Sequence, residues 1–220
     1  MEKEFNHAIF KYNLEDENLV FELNNYINEN INEIYSFFEL KDITSKATII
    51  ILPTKEEFDK EVRPLKKEYE EYGVPSWVIG FSIKDKIYFL SLRDYKNTPH
   101  KDKTDLLAYK KTILHEYIHY IVGLYLFENK CSYPLRALNE GIAQYLSHQR
   151  DNNIITLKND LSEVLDGTTA YSEWYLITKY IIDNYSKDYF LELLKDKTKT
   201  REFITDNFDN IKNMKQVKRW

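Results

Sequence analysis

The spacing of apolar residues changes its period near residue 104, and that change limits the fold more than any other feature of the chain. Before it, alternating and β-branched stretches are interleaved with helical spacing; after it, the spacing is helical almost to the end. Strands confined to the first half and helices dominating the second predict an α+β fold. We expect a small mixed β-sheet with helices in an N-terminal lobe of about 1–127, then a helical lobe of about 128–220. Both would belong to one domain spanning 1–220, because five Gly, five Pro and no repeat or Ser/Gly linker mark a boundary.

In more detail, residues 5–12 partly alternate and predict a first strand, which would carry His7. Leu19, Leu23, Tyr26, Ile27, Ile31, Ile34 and Phe38 recur at helical spacing behind an Asn/Glu outer face. The β-branched run from Ala47 to Leu52, stopped by Pro53, suits a strand buried on both faces. Thr54 with Glu57 three residues on resembles a capping box, opening a helix that Pro64 kinks and Gly73 ends. Residues 77–82 and 86–92 flank Lys84-Asp85 as a hairpin would. Helices are then expected from Thr104 to about Phe127, from Leu135 to Gln149 and from Tyr171 to Tyr185, with shorter pieces following.

The charge balance, 31 Lys+Arg against 36 Asp+Glu, leaves a net charge of −5 and excludes the broad basic surface a nucleic-acid binder needs. Only 212–219 is locally basic, which fits a solvated helix end. No apolar run approaches the roughly 20 residues of a bilayer span, and mean hydropathy is −0.58, so no membrane partner is expected. Residues 1–5 lack the basic and apolar regions of a secretory signal, and the lone Cys131 suits a reducing compartment. The expected location is cytoplasmic.

The chemistry is concentrated in His115-Glu116-Tyr117-Ile118-His119, within a helix whose apolar neighbours predict burial. At 100° per residue the two histidines lie one turn apart on one face, so both imidazoles can reach a single ion. Zinc suits neutral imidazole nitrogen. Glu116 projects to the side, where it can reach water at that ion rather than ligate it, the position a general base needs. Chance would produce such a pattern roughly 0.01 times in a chain of this composition. A catalytic zinc site usually has three protein ligands and one open position. The candidate third ligand is Glu140, 21 residues beyond His119, with His100 and His148 as competitors. His148 would lie about 12 Å along the same helix from Glu140, so the two should not share an ion. His100 sits in a polar loop.

These pieces resemble a gluzincin metallopeptidase, and especially the small peptidase-MA-like domains. There a His-Glu-x-x-His helix is followed by a Glu-Gly-x-Ala-x-Tyr helix, matched here by Glu140-Gly141-Ile142-Ala143-Gln144-Tyr145. The likeness covers roughly residues 45 to 195, and it implies a zincin-like fold with Zn2+ held by His115, His119 and Glu140. The segment from Thr168-Thr169-Ala170-Tyr171 is similar to one in gluzincin aminopeptidases whose tyrosine hydroxyl steadies the oxyanion, which makes Tyr171 the counterpart. The Gly-x-Met-Glu-Asn-like stretch that grips a free amine in those enzymes is absent near Gly80, so an endopeptidase is expected.

The resulting expectation is a zinc-dependent peptidase acting on a peptide or protein. Glu116 would take a proton from the attacking water and deliver it to the leaving amine. The substrate would lie along the hairpin edge at Gly80, Phe81 and Ser82 as an added strand. The alternative is a catalytically inactive zincin-fold module that binds or regulates. Cys131 is expected to be a passive side chain, and Trp77, Trp174 and Trp220 packing or surface anchors.

Overall fold

Ala47–Leu52 (β3) forms a strand with the limits that its β-branched run predicts. A computed structural model describes residues 1–41, 43–102, 105–151, 154–167 and 170–214. In it β3 pairs in parallel on both sides, with Ala8–Lys11 (β2) and with Lys86–Leu90 (β5). Parallel pairing on both sides is the setting in which a near-continuous apolar run is at home. Ala47, Ile49 and Ile51 are buried while the alternate residues are half-buried, so β3 is covered unequally rather than alike on both faces. Glu2–Glu4 (β1) pairs antiparallel with β2, and Gly80–Ile83 (β4) antiparallel with β5. The order β1-β2-β3-β5-β4 thus leaves an antiparallel strand at either edge.

The chain divides into two compact units, Met1–Tyr120 and Ile121–Trp220. Mixed α+β character with a small sheet matches the expectation from periodicity. In the first unit, Glu17–Phe37 (α1) buries Val20, Leu23, Ile27, Ile31 and Ile34, one stripe at three- and four-residue spacing. Lys55–Val62 (α2) starts where Thr54 Oγ1 accepts from the Glu57 amide at 3.2 Å, and it packs on β3 and β5. Pro64 breaks this helix instead of kinking it. A 3-10 turn over Arg63–Leu65 separates α2 from Lys67–Tyr72 (α3), as expected of a residue that lacks an N–H and crowds the preceding turn. Gly73, at φ +81°, then ends α3.

The predicted first strand is corrected at its start. Residues 5–7 form a turn closed by the Phe5 amide on the Ala8 carbonyl at 2.9 Å, and the polar strand β1 precedes it. His7 therefore lies between strands. The hairpin keeps its two-residue turn, with Lys84 at φ +54°, but β4 begins at Gly80 rather than residue 77.

Leu106–Glu128 (α4) carries the His-Glu pattern, and Ile113, Leu114, Tyr117, Ile118, Ile121 and Val122 are each no more than 1% exposed. The second unit is helical: Arg136–Leu146 (α5), Leu161–Asp166 (α6), Tyr171–Asn184 (α7), Lys187–Lys195 (α8) and Lys197–Lys212 (α9). Here α5 stops three residues short of its expected end, and α9 is longer than the short pieces expected. Trp174 is buried and donates from Nε1 to the Val164 carbonyl at 2.8 Å, tying α7 to α6. Trp77 is half exposed, and Trp220 and the basic 215–219 lie outside the described residues. No helix among the described residues is long and apolar enough to cross a membrane.

Candidate metal centre

One helical turn separates His115 from His119 in α4, and their Nε2 atoms face each other at 3.1 Å with the rings perpendicular. His115 is 7% exposed and His119 is half-buried. Two ring nitrogens at that separation either share one proton or present two lone pairs to one electrophile. Glu140, in the first half of α5, completes the group: one ligand atom each from His115, His119 and Glu140 all lie within 4.8 Å of one another. A tetrahedral zinc ion with ligands at about 2.0–2.1 Å separates its donors by about 3.3 Å, close to the 3.1 Å between the two imidazole nitrogens, while the carboxylate lies within 4.8 Å of them. Two imidazoles and one carboxylate are also a donor set that catalytic zinc uses.

The competing histidines are engaged elsewhere. His148, at φ +57° just past α5, contacts Asp151 Oδ2 through Nδ1 at 2.7 Å. His100 sits with Nε2 2.8 Å from the Trp77 carbonyl. His7 lies against Tyr35, with Nδ1 3.5 Å from its hydroxyl. Cys131 is free, and its thiol donates to the Asn129 carbonyl.

Glu116 is half-buried and abuts the sheet edge. A β-carbon built at Gly80 would lie 3.1 Å from Glu116 Cγ and 2.6 Å from the Phe89 ring, so only glycine lets β4 and this side chain come so close. Gly80, Phe81 and Ser82 all belong to β4, which among the described residues pairs only with β5 in the sheet. Phe81 additionally rests on Tyr69 of α3, ring centroids 5.9 Å apart.

Within the second unit a second glycine fixes the third ligand's helix. At Gly141 a β-carbon would meet Thr178 Oγ1 at 2.2 Å and the Trp174 carbonyl oxygen at 2.4 Å, so α5 and α7 touch backbone to backbone beside Glu140. Tyr171 opens α7; the expected opening at Thr168-Thr169 lies outside the described residues. Arg136 Nη2 donates to the Tyr171 hydroxyl at 3.0 Å, and its guanidinium covers the Tyr171 and Trp174 rings. Gln144 Nε2 donates to the carbonyls of Glu140 and Tyr171. Arg136 and Gln144, one turn either side of Glu140, escaped sequence reasoning. Their four-residue spacing on the ligand's own helix face was the available signal.

No protein-family model matches the chain, and no curated protein or solved structure does.

Proposed function

We propose that the chain is a zinc-dependent endopeptidase of the gluzincin type with a zincin-like fold. The observation carrying this reading is the grouping of the His115, His119 and Glu140 donors, with Glu116 beside the first histidine and against the sheet edge. His115 and His119 hold the ion through Nε2, and Glu140 supplies the carboxylate. A divalent ion so held supplies Lewis acidity, which lowers the pKa of water and polarises a carbonyl. Glu116 accepts the proton of the attacking water and returns it to the leaving amine. The Tyr171 hydroxyl donates to the developing oxyanion. The peptide lies along β4 at Gly80, Phe81 and Ser82, its backbone adding a strand to the edge.

Metal analysis of untagged protein joined to a peptide-library cleavage profile tests the proposal. Stoichiometric zinc and chelator-sensitive cleavage are expected. Glu116→Gln should keep the zinc and lose cleavage, and His119→Ala should lose both. Cleavage retained by metal-replete Glu116→Gln protein overturns the general-base role. Stoichiometric zinc with no cleavage of any peptide leaves the binding module in its place.

A further inference from the structure

Among the half-buried cations described in the second unit, Arg150 is one that the proposed chemistry does not use. Among the described arginines, Arg93 and Arg201 pair with aspartates, Arg63 is exposed, and Arg136 covers two aromatic rings. Arg150 differs from all four. It is half-buried, and its one hydrogen bond among the described residues runs from Nε to the neutral Gln144 Oε1 at 3.0 Å. Asp151, the adjacent acid, turns Oδ2 to His148 Nδ1 at 2.7 Å and, among the described residues, makes no bond to the guanidinium. Burial holds the Arg150 guanidinium below its ordinary pKa, with no carboxylate opposing the shift. In a chain with more acids than bases, a half-buried guanidinium with no carboxylate bonded to it among the described residues is a cost that its bond to a neutral amide offsets only in part.

Its position tells which anion it is placed to meet. Gln144 grips Arg150 with its amide oxygen and the carbonyls of Glu140 and Tyr171 with its amide nitrogen. One side chain therefore separates Arg150 from the backbone of a metal ligand and of the oxyanion residue. With Nε fixed by Gln144, the two Nη groups remain as a fork of the kind that binds carboxylates in bidentate fashion.

We propose that Arg150 binds a carboxylate of the peptide substrate, so that the enzyme selects peptides with an acidic side chain or a free C-terminus near the scissile bond. The inference rests on the peptidase reading, and its test uses binding so that the two can fail separately. The probe is a randomised hexapeptide mixture presented to zinc-loaded Glu116→Gln protein, with bound peptides identified by mass spectrometry. Four forms are compared: free acid or C-terminal amide, with Asp and Glu present or replaced by Asn and Gln.

Captured peptides should be enriched about ten-fold in whichever carboxylate is read, the discrimination expected of a charge-assisted pair. A preference that follows the free acid identifies the C-terminus, and one that follows Asp and Glu identifies a side chain. Adding Arg150→Gln should abolish the discrimination, and adding Arg150→Lys, which keeps the charge and loses the fork, should leave a weaker one. Equal capture of all four forms, no capture of any, or a preference that survives Arg150→Gln overturns the proposal. A carboxylate preference in a protein whose wild type cleaves nothing overturns the peptidase reading and leaves Arg150 as an anion site.

Discussion

Gly80 and Glu116 are in contact across the sheet edge: a β-carbon at the glycine would sit 3.1 Å from Glu116 Cγ. The same atom would press to 2.6 Å from the ring of Phe89, which is fully buried in β5 and cannot retreat freely. Gly80→Ala should therefore destabilise the protein by about 1–3 kcal/mol, the usual penalty for overpacking. It should also displace Glu116 and lower peptide turnover while leaving zinc content unchanged. Urea denaturation gives the first quantity, and metal analysis beside a cleavage assay gives the second. Unaltered stability and turnover would show that the contact relaxes without cost.

Asp16 stands at the N-terminus of α1 but does not cap it. Its carboxylate, 1% exposed, instead accepts from Ser91 Oγ at 2.7 Å and from Arg93 Nε at 2.9 Å and Nη2 at 3.0 Å. This joins residues more than seventy positions apart in the first unit. Asp16→Ala strands a buried hydroxyl and an arginine, though the 42% exposure of Arg93 lets water recover part of the loss. A destabilisation of about 2–3 kcal/mol is expected, measured as a shift in urea midpoint. A shift within a few tenths would mean that solvent replaces the network.

The sequence announced those parts of the fold that local chemistry decides. The β-branched run of β3, the Thr54 cap, the Gly73 stop and the one-turn spacing of His115 and His119 each depend on residues a few positions apart. What it concealed depends on distant backbone. The reason for glycine at 141 is a carbonyl of Trp174, thirty-three residues away. The contact of Gly80 with Glu116 likewise follows from tertiary approach, and no periodicity encodes it. Strand β1 was missed because three polar residues carry no alternation and are held by pairing with β2. Arg136, Gln144 and Arg150 were missed for a related reason. Their partners are a hydroxyl, carbonyl oxygens and an amide, which the four-residue spacing of Arg136 and Gln144 about Glu140 does not reveal by itself.

Burial, and to a lesser extent Lys46, lowers the pKa of His7 from its ordinary value of 6.5, and Tyr35 faces its Nδ1. The unfolded chain then takes up this proton at higher pH than the folded one. Stability from His7 is fully present above pH 6.5 and is lost as pH falls through the lower folded value. Urea midpoints measured from about pH 8 down to pH 5 should fall more steeply for the native chain than for His7→Gln. Parallel profiles would show that His7 titrates alike in both states.

Tyr171 is the site residue whose role most needs separating from packing, because its ring meets Trp174 edge-on at 5.0 Å and its hydroxyl accepts from Arg136. Tyr171→Phe keeps the ring contact and removes only the hydroxyl. If that group donates to an oxyanion, turnover should fall about ten-fold or more while KM and zinc content stay close to those of the native chain. The Arg136 bond sharpens the test, since a cation at the phenol oxygen makes its O–H a stronger donor. Arg136→Met, which keeps a long apolar stem over the rings, should therefore reduce turnover in the same direction by a smaller factor. Its effect should vanish in the Tyr171→Phe background, as measured in a double-mutant cycle. Additive losses would place Arg136 and Tyr171 in independent roles, and an unchanged rate in Tyr171→Phe would reduce the tyrosine to a packing residue of α7.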